Sequence, residues 1–157
     1  MGIEIERRFL VINDDWKHGA TGTLYRQGYL YFREDGVVRL RIAGDQAFLT
    51  VKALKDDLSA LEYEYEIPVY DGHEMLTELC DGPLVEKIRY RILHGGMIWE
   101  IDVFLGDNEG LVIAEVELGS TEQSISLPPW VGDEITGDRR YLNASLYKNP
   151  YRNWRID

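Results

Sequence analysis

The sequence predicts a mainly β protein whose sheet closes into a barrel of about eight strands, with a few short helices beside it. Seven short runs alternate charged and apolar residues with a period of two, which is the spacing of side chains on one face of a strand. The residues between the charges are mostly Val, Ile, Leu and Tyr, a composition typical of strands. The runs are residues 4–9, 39–42, 50–52, 62–67, 87–91, 99–103 and 114–118.

The charges on these runs are sorted by sign from one strand to the next. The acidic positions are Glu4, Glu6, Glu62, Glu64, Glu100, Asp102, Glu115 and Glu117, and the basic positions are Arg8, Arg39, Arg41, Lys52, Lys87, Arg89 and Arg91. A solvated sheet face would explain any single run, but like charges two residues apart would repel on a plain solvated sheet. A barrel would instead gather them in its lumen, with an acidic wall and a basic wall.

Such a lumen has the chemistry of a site for a metal-bound oligophosphate. Arginine forks match phosphate oxygens, and lysine adds a point charge. Carboxylates in i, i+2 pairs suit a hard divalent cation such as magnesium, which is usually held by one or two carboxylates together with phosphate oxygens and water. Because uncompensated buried acids are costly, the cation would also stabilise the acidic wall.

Turn and helix signals separate the runs. Asp35-Gly36, Gly44-Asp45 and Gly95-Gly96 predict hairpins. Residues 71–80 have helical spacing and end at the stop signal Asp81-Gly82-Pro83. Ser120 to Gln123 offers N-cap chemistry for one or two further helical turns before Pro128, and residues 143–147 predict a last short helix.

Composition favours one cytoplasmic domain spanning residues 1–157. The net charge of −11 argues against bulk nucleic acid as a partner, since non-specific binding to a phosphate backbone needs an exposed basic field. Cys80 is the only cysteine, which excludes an internal disulfide and suits a reducing compartment. No signal peptide and no apolar run of about 18 residues is present, so we expect no membrane association.

Residues 4–11 resemble the N-terminal signature of the CYTH superfamily, the triphosphate tunnel metalloenzymes, whose first strand carries Glu-x-Glu-x-Lys. In this chain Arg8 stands where the signature has lysine, and an arginine cannot give up its proton as a lysine can. The further matches follow in the family's order along almost the whole chain. They are Gln27-Gly28-Tyr29-Leu30, Arg39-x-Arg41, Thr50-x-Lys52, Glu62-x-Glu64, residues 86–90, residues 99–104, Glu115-x-Glu117, residues 134–138, Tyr141 and Asn143.

The resemblance implies an eight-stranded antiparallel β-barrel that forms a tunnel, with short helices packed outside, and that binds triphosphate with Mg²⁺ or Mn²⁺. Members of the family hydrolyse inorganic triphosphate (tripolyphosphate), nucleoside triphosphates, thiamine triphosphate or the RNA 5′ end, and one branch cyclises ATP. Direct attack by water is the simplest mechanism, because phosphoryl transfer asks a protein mainly for positioning and charge stabilisation.

Roles carried over by matching position fall into three groups. The metal ligands would be Glu4, Glu6 and Glu117, with Glu115 and Glu64 at or near a second metal. The phosphate clamp would be Arg39, Arg41, Lys52, Lys87 and Arg89, with Arg8 and Arg91 as additions. The catalytic group would be Glu62, Glu64, Arg8 and Tyr29, in which Glu62 orients water and Tyr29 either packs in the core, the favoured interpretation, or contacts a terminal phosphate or protonates a leaving group.

The leading hypothesis is therefore a metal-dependent triphosphatase that cleaves tripolyphosphate to pyrophosphate and phosphate. A nucleoside triphosphatase or an adenylate cyclase of the same fold is the first alternative, and it would require a purine pocket at one tunnel mouth. A non-catalytic polyphosphate-binding module is the second, although the two Glu-x-Glu pairs argue against it. A homodimer is also expected, since the apolar outer faces of the barrel must pack against something.

Overall fold

Nine strands form one continuous sheet in the computed structural model, which describes residues 2–80 and 82–154. Asp81 of the predicted stop signal, Met1 and residues 155–157 lie outside the described residues. The strands are β1 (Gly2–Val11), β2 (Gly22–Arg33), β3 (Gly36–Ala43), β4 (Gln46–Leu54), β5 (Ser59–Ile67), β6 (Val85–His94), β7 (Met97–Phe104), β8 (Val112–Glu117) and β9 (Val131–Glu134). The helices are α1 (Val69–Glu78) and α2 (Asn143–Lys148), with 3-10 turns at Asp15–Lys17, Gly106–Asn108, Arg139–Tyr141 and Tyr151–Asn153.

The sheet closes on itself. The strand order is β5-β4-β3-β2-β6-β7-β8-β1, and β1 also pairs with β5, with Ile3 opposite Leu61. Every pairing is antiparallel, and β9 adds a ninth strand along the end of β1. The predicted eight-stranded antiparallel barrel is therefore confirmed.

Hairpin turns lie at residues 44–45 and 95–96, as predicted. The first hairpin turn lies at residues 34–35, one residue before the predicted pair, because Gly36 already pairs with Arg33 as the first residue of β3. Gly95 and Gly96 have φ values of +60° and +76°. A two-residue hairpin turn with both central residues at positive φ matches the twist of the flanking strands, and glycine adopts it without steric cost. This turn fixes the register between β6, which carries bases, and β7, which carries acids.

The helices differ in part from the sequence predictions. Helix α1 begins at Val69, two residues before the predicted start, because Pro68 immediately precedes it and its carbonyl accepts the Gly72 N–H at 3.0 Å. Helix α2 covers the predicted residues and Lys148. The predicted helical turns after Ser120 are wrong: the Gln123 N–H reaches the Ser120 carbonyl in a single turn, and the chain then runs without helix to Pro128.

The apolar core lies outside the barrel wall and at one end of it. Trp99, Phe9 and Trp130 form a buried cluster on the outer face, and α1 covers a second patch on β3 and β4. A third cluster includes Phe104 and Ile113, which lie two residues beyond Asp102 and two before Glu115, and so on the lumen side of their strands. Together with α2, this cluster fills part of one end of the lumen. No helix in the described residues has the length and apolar character that a bilayer crossing requires.

Candidate active site

The charged residues of the lumen form two continuous walls. Around the barrel, β7, β8, β1 and β5 are neighbours and carry the predicted acids. The other half of the barrel is β4, β3, β2 and β6, of which β4, β3 and β6 carry the predicted bases. Arg8 on β1 is the exception, since it lies on the acidic side. The sorting by sign that the sequence shows strand by strand thus becomes a division of the tunnel into halves.

Opposite charges face each other where the two walls meet. At the β4–β5 boundary Lys52 is the cross-strand partner of Glu62, with Nζ 3.5 Å from the carboxylate. At the β6–β7 boundary Arg89 is the partner of Asp102. At both boundaries a basic residue of one wall is therefore paired with an acidic residue of the other, which is a favourable cross-strand arrangement.

Asp102 is the anchor of the basic wall. Its carboxylate is fully buried and accepts hydrogen bonds from Lys87 Nζ at 2.7 Å and from Arg89 Nε at 2.7 Å and Nη2 at 2.8 Å. Although burial opposes its charge, Arg89 and Lys87 hold the pKa of Asp102 far below its ordinary value. Burial, reinforced by the Arg89 and Arg41 guanidinium groups, lowers the pKa of Lys87 despite the pull of Asp102.

Strand β2 has no charge on its lumen face but positions its neighbours. The Tyr25 ring lies between two guanidinium groups, with Arg41 Cζ at 4.9 Å and Arg89 Cζ at 5.1 Å from the ring centroid. Gln27 is fully buried, and its Oε1 accepts a hydrogen bond from Arg41 Nε at 2.6 Å. These contacts fix the direction of both arginines by cation–π attraction and hydrogen bonding.

Asn143 joins helix α2 to this network. Its Oδ1 accepts hydrogen bonds from Gln27 Nε2 at 3.1 Å and from Lys87 Nζ at 2.8 Å. The first residue of α2 therefore completes the hydrogen bonding of two buried groups on the basic wall.

Two arginines at the centre of the basic wall, Arg39 and Arg41, are incompletely paired within the described part of the protein. Within the described residues Arg41 has no carboxylate at ion-pair distance, and burial together with Arg39 and Arg89 lowers its pKa to about 10. The Nε of Arg39 is buried with no hydrogen-bond partner, although its Nη2 reaches Thr50 at 3.3 Å and Glu64 at 3.5 Å. Buried donors without acceptors are rare in native structures, so these groups fit a site for an anion such as phosphate.

On the acidic wall, the carboxyl groups around Glu4 outnumber the cations near them. Burial, a hydrogen bond with the Glu62 carboxyl group and repulsion from Glu6 and Glu62 raise the pKa of Glu4 to about 9, against the attraction of Lys52 at 3.2 Å. The pKa of Glu6 is also raised, by burial and by Glu115. The pKa of Lys52 is raised as well, because the negative charges of Glu6, Glu4 and Glu62 outweigh the effect of its burial.

Arg8 neutralises a different carboxylate. Its side chain is buried, with Nε 3.3 Å from Glu115 and Nη2 donating to the Tyr141 carbonyl at 2.8 Å. Burial opposes the charge of Glu115, but Arg8 and Arg89 lower its pKa to about 2. The arginine that replaces the signature lysine is thus tied to Glu115 and to the main chain of the segment after β9.

The donor set fits a divalent cation that is shared with a ligand. Glu6 and Glu117 are cross-strand partners, and Glu4 lies two residues from Glu6 on the same face. No group of three or more Asp, Glu, His or Cys side chains in residues 2–80 and 82–154 could hold a metal ion by itself. Magnesium is commonly bound by one or two carboxylates together with phosphate oxygens and water. The carboxyl groups with raised pKa values lie beside the basic wall, where a phosphate group could supply the remaining ligands.

Two cavities divide the predicted site residues. A cavity of about 160 Å³ at the α2 end is lined by most of them, including Glu4, Glu6, Arg8, Tyr29, Arg39, Arg41, Lys52, Glu62, Lys87, Arg89, Glu115 and Glu117. A wider cavity of about 870 Å³ opens at the opposite end. Glu64 and Arg91 line only this wider mouth, and the Arg91 side chain is 68% exposed.

Tyr29 combines the two interpretations that the sequence left open. It is buried in the cluster at the α2 end, with its ring 5.4 Å from that of Tyr147, and it also lines the smaller cavity. Burial raises the pKa of its hydroxyl group. The ring therefore packs in the core, and the residue remains part of the cavity wall.

Tyr25, Gln27, Thr50 and Asn143 received no role from the sequence. Yet Tyr25, Gln27 and Tyr29 alternate along β2 with the same period as the charged runs, and their strand lies between two basic strands in the sheet. Period-two spacing of polar groups was therefore a usable signal, which a search restricted to charged residues misses.

Comparison with known proteins agrees with this geometry. Residues 2–146 match the family model of the CYTH domain. The chain is 52% identical over 155 residues to the inorganic triphosphatase of Acetivibrio thermocellus, covering 99% of both chains, and 42% identical over 149 residues to that of Nitrosomonas europaea, covering 91% and 95%. The crystal structure of the inorganic triphosphatase NE1496 superimposes with a TM-score of 0.67 at 36% identity, covering 92% of this chain and 93% of the other.

The predicted membership in the superfamily is confirmed by these matches. Triphosphate tunnel metalloenzymes of this family use divalent metals in general. With its closed barrel, its two charged walls and a match that spans nearly its whole length, this chain belongs to the CYTH domain family.

Proposed function

We propose that this protein hydrolyses inorganic triphosphate to pyrophosphate and phosphate inside the smaller cavity of its barrel. The observation that carries the proposal is a pair of opposite imbalances in the tunnel. Arg41 has no carboxylate at ion-pair distance among the described residues, and Arg39 Nε is buried without a hydrogen-bond partner. On the other wall, the pKa values of Glu4 and Glu6 are raised even though Lys52 lies 3.2 Å from Glu4. A metal-bound triphosphate supplies both an anion and a cation. Relatives with 52% and 42% identity that carry the name inorganic triphosphatase support the same activity.

The basic wall would bind and orient the phosphates. The cavity is lined by Arg39, Arg41, Lys52, Lys87 and Arg89. Asp102, Tyr25 and Gln27 set the directions of Arg41, Lys87 and Arg89 before any ligand arrives. Preorganised cations of this kind stabilise the charge that develops during phosphoryl transfer without reorganising. Arg8 would join this wall, while Arg91, at the wider mouth, would contribute less.

The acidic wall would hold the metal, which we propose is Mg²⁺ or Mn²⁺. Glu4, Glu6 and Glu117 would be its ligands, with Glu115 and Glu64 nearer to a second ion. When bound, a divalent ion neutralises phosphate charge and acidifies water. Glu62 would orient the attacking water, because its carboxylate lines the cavity and acts as the acceptor of a hydrogen bond from the Glu4 carboxyl group.

Tyr29 would contact a terminal phosphate or donate a proton to the leaving group. Its hydroxyl group stays protonated because burial raises its pKa, which is the state that a donor requires. The cytoplasmic location, the single domain over residues 1–157, the homodimer and the lack of bulk nucleic-acid and membrane partners stay predictions.

Phosphate release by the purified protein tests the proposal. Tripolyphosphate, ATP and pyrophosphate are each supplied with Mg²⁺, Mn²⁺ or EDTA, alongside Glu4→Gln, Glu117→Gln and the exposed control Glu109→Gln. We expect metal-dependent cleavage of tripolyphosphate that both site variants lose and the control keeps. Faster cleavage of ATP would reassign the substrate, and formation of cyclic AMP would indicate a cyclase. No release from any substrate, with tripolyphosphate still raising the melting temperature, would indicate a binding module.

A further inference from the structure

Arg139 lies at the junction of two cavities but belongs to no strand of the barrel. It is part of the 3-10 turn Arg139–Tyr141, after β9, and lines both the smaller tunnel cavity and a side cavity of about 50 Å³ that reaches Glu4 and Glu6. Its side chain is exposed, so it stands at the rim rather than inside the tunnel.

The main chain of this turn is held against the tunnel wall. The Asp138 carboxylate accepts the Arg140 N–H at 3.2 Å, and the Arg139 carbonyl accepts the Leu142 N–H at 3.1 Å. From inside the barrel, Arg8 Nη2 donates to the Tyr141 carbonyl at 2.8 Å. The position of Arg139 relative to the cavity is therefore fixed at its backbone, while its side chain keeps its freedom.

The two neighbouring arginines of the turn differ in their partners. Arg140 Nη2 lies 2.7 Å from Asp138, and its guanidinium group stacks 5.3 Å from the Trp154 ring centroid. Arg139 makes no ion pair or side-chain hydrogen bond within the part of the chain that the structure describes. The acid beside it is already engaged by Arg140, so Arg139 can take a ligand without first breaking an internal contact.

Among the described residues, no unpaired arginine distinguishes the opposite mouth, because Arg41 lines both cavities. The arginine that lines the wider mouth alone, Arg91, is exposed but lies 3.2 Å from Glu100, whereas Arg139 at the α2 mouth has no such partner among the described residues. A polyanion is attracted toward the end of a tunnel where positive charge is unpaired. The α2 end therefore has the more favourable electrostatics for anion entry.

We propose that Arg139 is a substrate-binding residue that captures the terminal phosphate of the triphosphate at the α2 mouth. The inference rests on the proposed triphosphatase function and adds a residue to its site. Either end of tripolyphosphate is a terminal phosphate, which carries more charge than an internal one, and a guanidinium fork binds such a group through two parallel hydrogen bonds. Arg139 acts on substrate capture and not on bond cleavage.

Steady-state kinetics with tripolyphosphate at two ionic strengths test this role in Arg139→Ala, Arg139→Gln and Arg139→Lys. The control is Arg152→Ala, which removes another exposed arginine, one that pairs with Asp107 and does not line the cavity. We expect KM to rise about fivefold to twentyfold in the Ala and Gln variants with kcat nearly unchanged, as suits a partly screened charged contact. The Lys variant recovers most of the loss, the control matches wild type, and the salt dependence of kcat/KM becomes weaker in the Ala variant.

Two different failures are distinguishable. If wild type cleaves tripolyphosphate and Arg139→Ala has the same KM and salt dependence, the role of Arg139 is overturned and the proposed function stands. If wild type cleaves no substrate, the proposed function fails, and calorimetric titration with tripolyphosphate in EDTA decides on Arg139 alone. Equal affinity of wild type and Arg139→Ala in that titration overturns the inference, and weaker binding by the variant supports it.

Discussion

The two walls of the tunnel are built to different degrees before a ligand arrives. On the basic wall, Asp102, Gln27, Asn143 and the Tyr25 ring hold the cations in place through short contacts. On the acidic wall, burial and a hydrogen bond with Glu62 raise the pKa of Glu4 to about 9. The protein thus preorganises its anion site, whereas its cation site is completed only by what binds there.

The largest expected effect follows from removing the anchor of the basic wall. Asp102→Ala leaves Lys87 and Arg89 buried without their carboxylate, which costs about 3–5 kcal/mol in the free energy of unfolding. Urea denaturation measures this, with Asp102→Asn as a milder variant. The matched control Asp107→Ala removes an exposed partner of Arg152 and costs at most about 1 kcal/mol. Equal costs at the two sites would contradict the role of Asp102 as anchor.

A change on the acidic wall separates activity from stability. Glu6→Gln removes a proposed metal ligand, so we expect kcat/KM for tripolyphosphate to fall about 10²–10³-fold, as for the loss of one electrostatic group at a reaction centre. Without metal, the same variant unfolds at an equal or higher urea concentration than wild type, because the pKa of Glu6 is raised by burial and repulsion. A clear loss of stability in the metal-free variant would mean that the acidic wall is preorganised after all.

The acidic wall also predicts a pH dependence. The pKa of Glu4 is about 9 in the folded protein and 4.5 in the unfolded chain. Between these two pH values the folded state therefore binds more protons than the unfolded state. The stability that this proton contributes is fully present below pH 4.5 and is lost as pH rises toward 9. Between pH 5 and pH 7 one such proton accounts for at most about 2.7 kcal/mol.

Thermal unfolding in EDTA at pH 5, 6 and 7 measures this effect. The pH-dependent loss should be smaller in Glu4→Gln than in wild type and unchanged in the exposed control Glu109→Gln. Mg²⁺ should stabilise wild type more at pH 7 than at pH 5, since the cation must displace the proton. Parallel curves for wild type and Glu4→Gln would show that Glu4 is ionised without metal.

A smaller effect is expected from the ring that orients the arginines. Tyr25→Leu removes the aromatic face between Arg41 and Arg89, and cation–π contacts of this kind are worth about 0.5–2 kcal/mol each. We expect kcat/KM for tripolyphosphate to fall about threefold to thirtyfold. Tyr25→Phe keeps the ring and should behave like wild type. If both variants lost activity equally, the hydroxyl group and not the ring would be responsible.

The smallest effect concerns the end of the basic strand β6. Arg91→Ala changes a side chain that is 68% exposed and paired with Glu100, so KM for tripolyphosphate should change less than about threefold. Arg89→Ala serves as the comparison, and it should raise KM far more because Arg89 is buried beside Asp102. A large effect of Arg91→Ala would extend the phosphate site to the wider mouth.

Much of the barrel could be predicted from the sequence because alternation records which face of a strand is polar. Runs such as residues 62–67 and 87–91 carried both the strand assignment and the sign of the wall. An acidic and a basic wall were predicted, but the order of strands around the barrel was not contained in any run. Which strands are neighbours within each wall is known only from the strand pairing, including that of β1 with β5 and β8.

The candidate site was predictable where a charge marked it and not where a neutral side chain did. Lys87 could be named from its run, but the Asn143 contact that completes its hydrogen bonding depends on how α2 returns to the barrel. The predicted turns after Ser120 failed because local capping chemistry was present without enough helix-forming residues before Pro128.

The pairing of the first strand has a consequence for how the chain folds. Residue 6 in β1 pairs with residue 117 in β8, so the tunnel closes only when two strands more than 100 residues apart in the sequence come together. Contacts so distant in sequence form slowly. The proposed cation ligands Glu6 and Glu117 are brought together by this closing step, and divalent metal should therefore slow unfolding more than it accelerates folding.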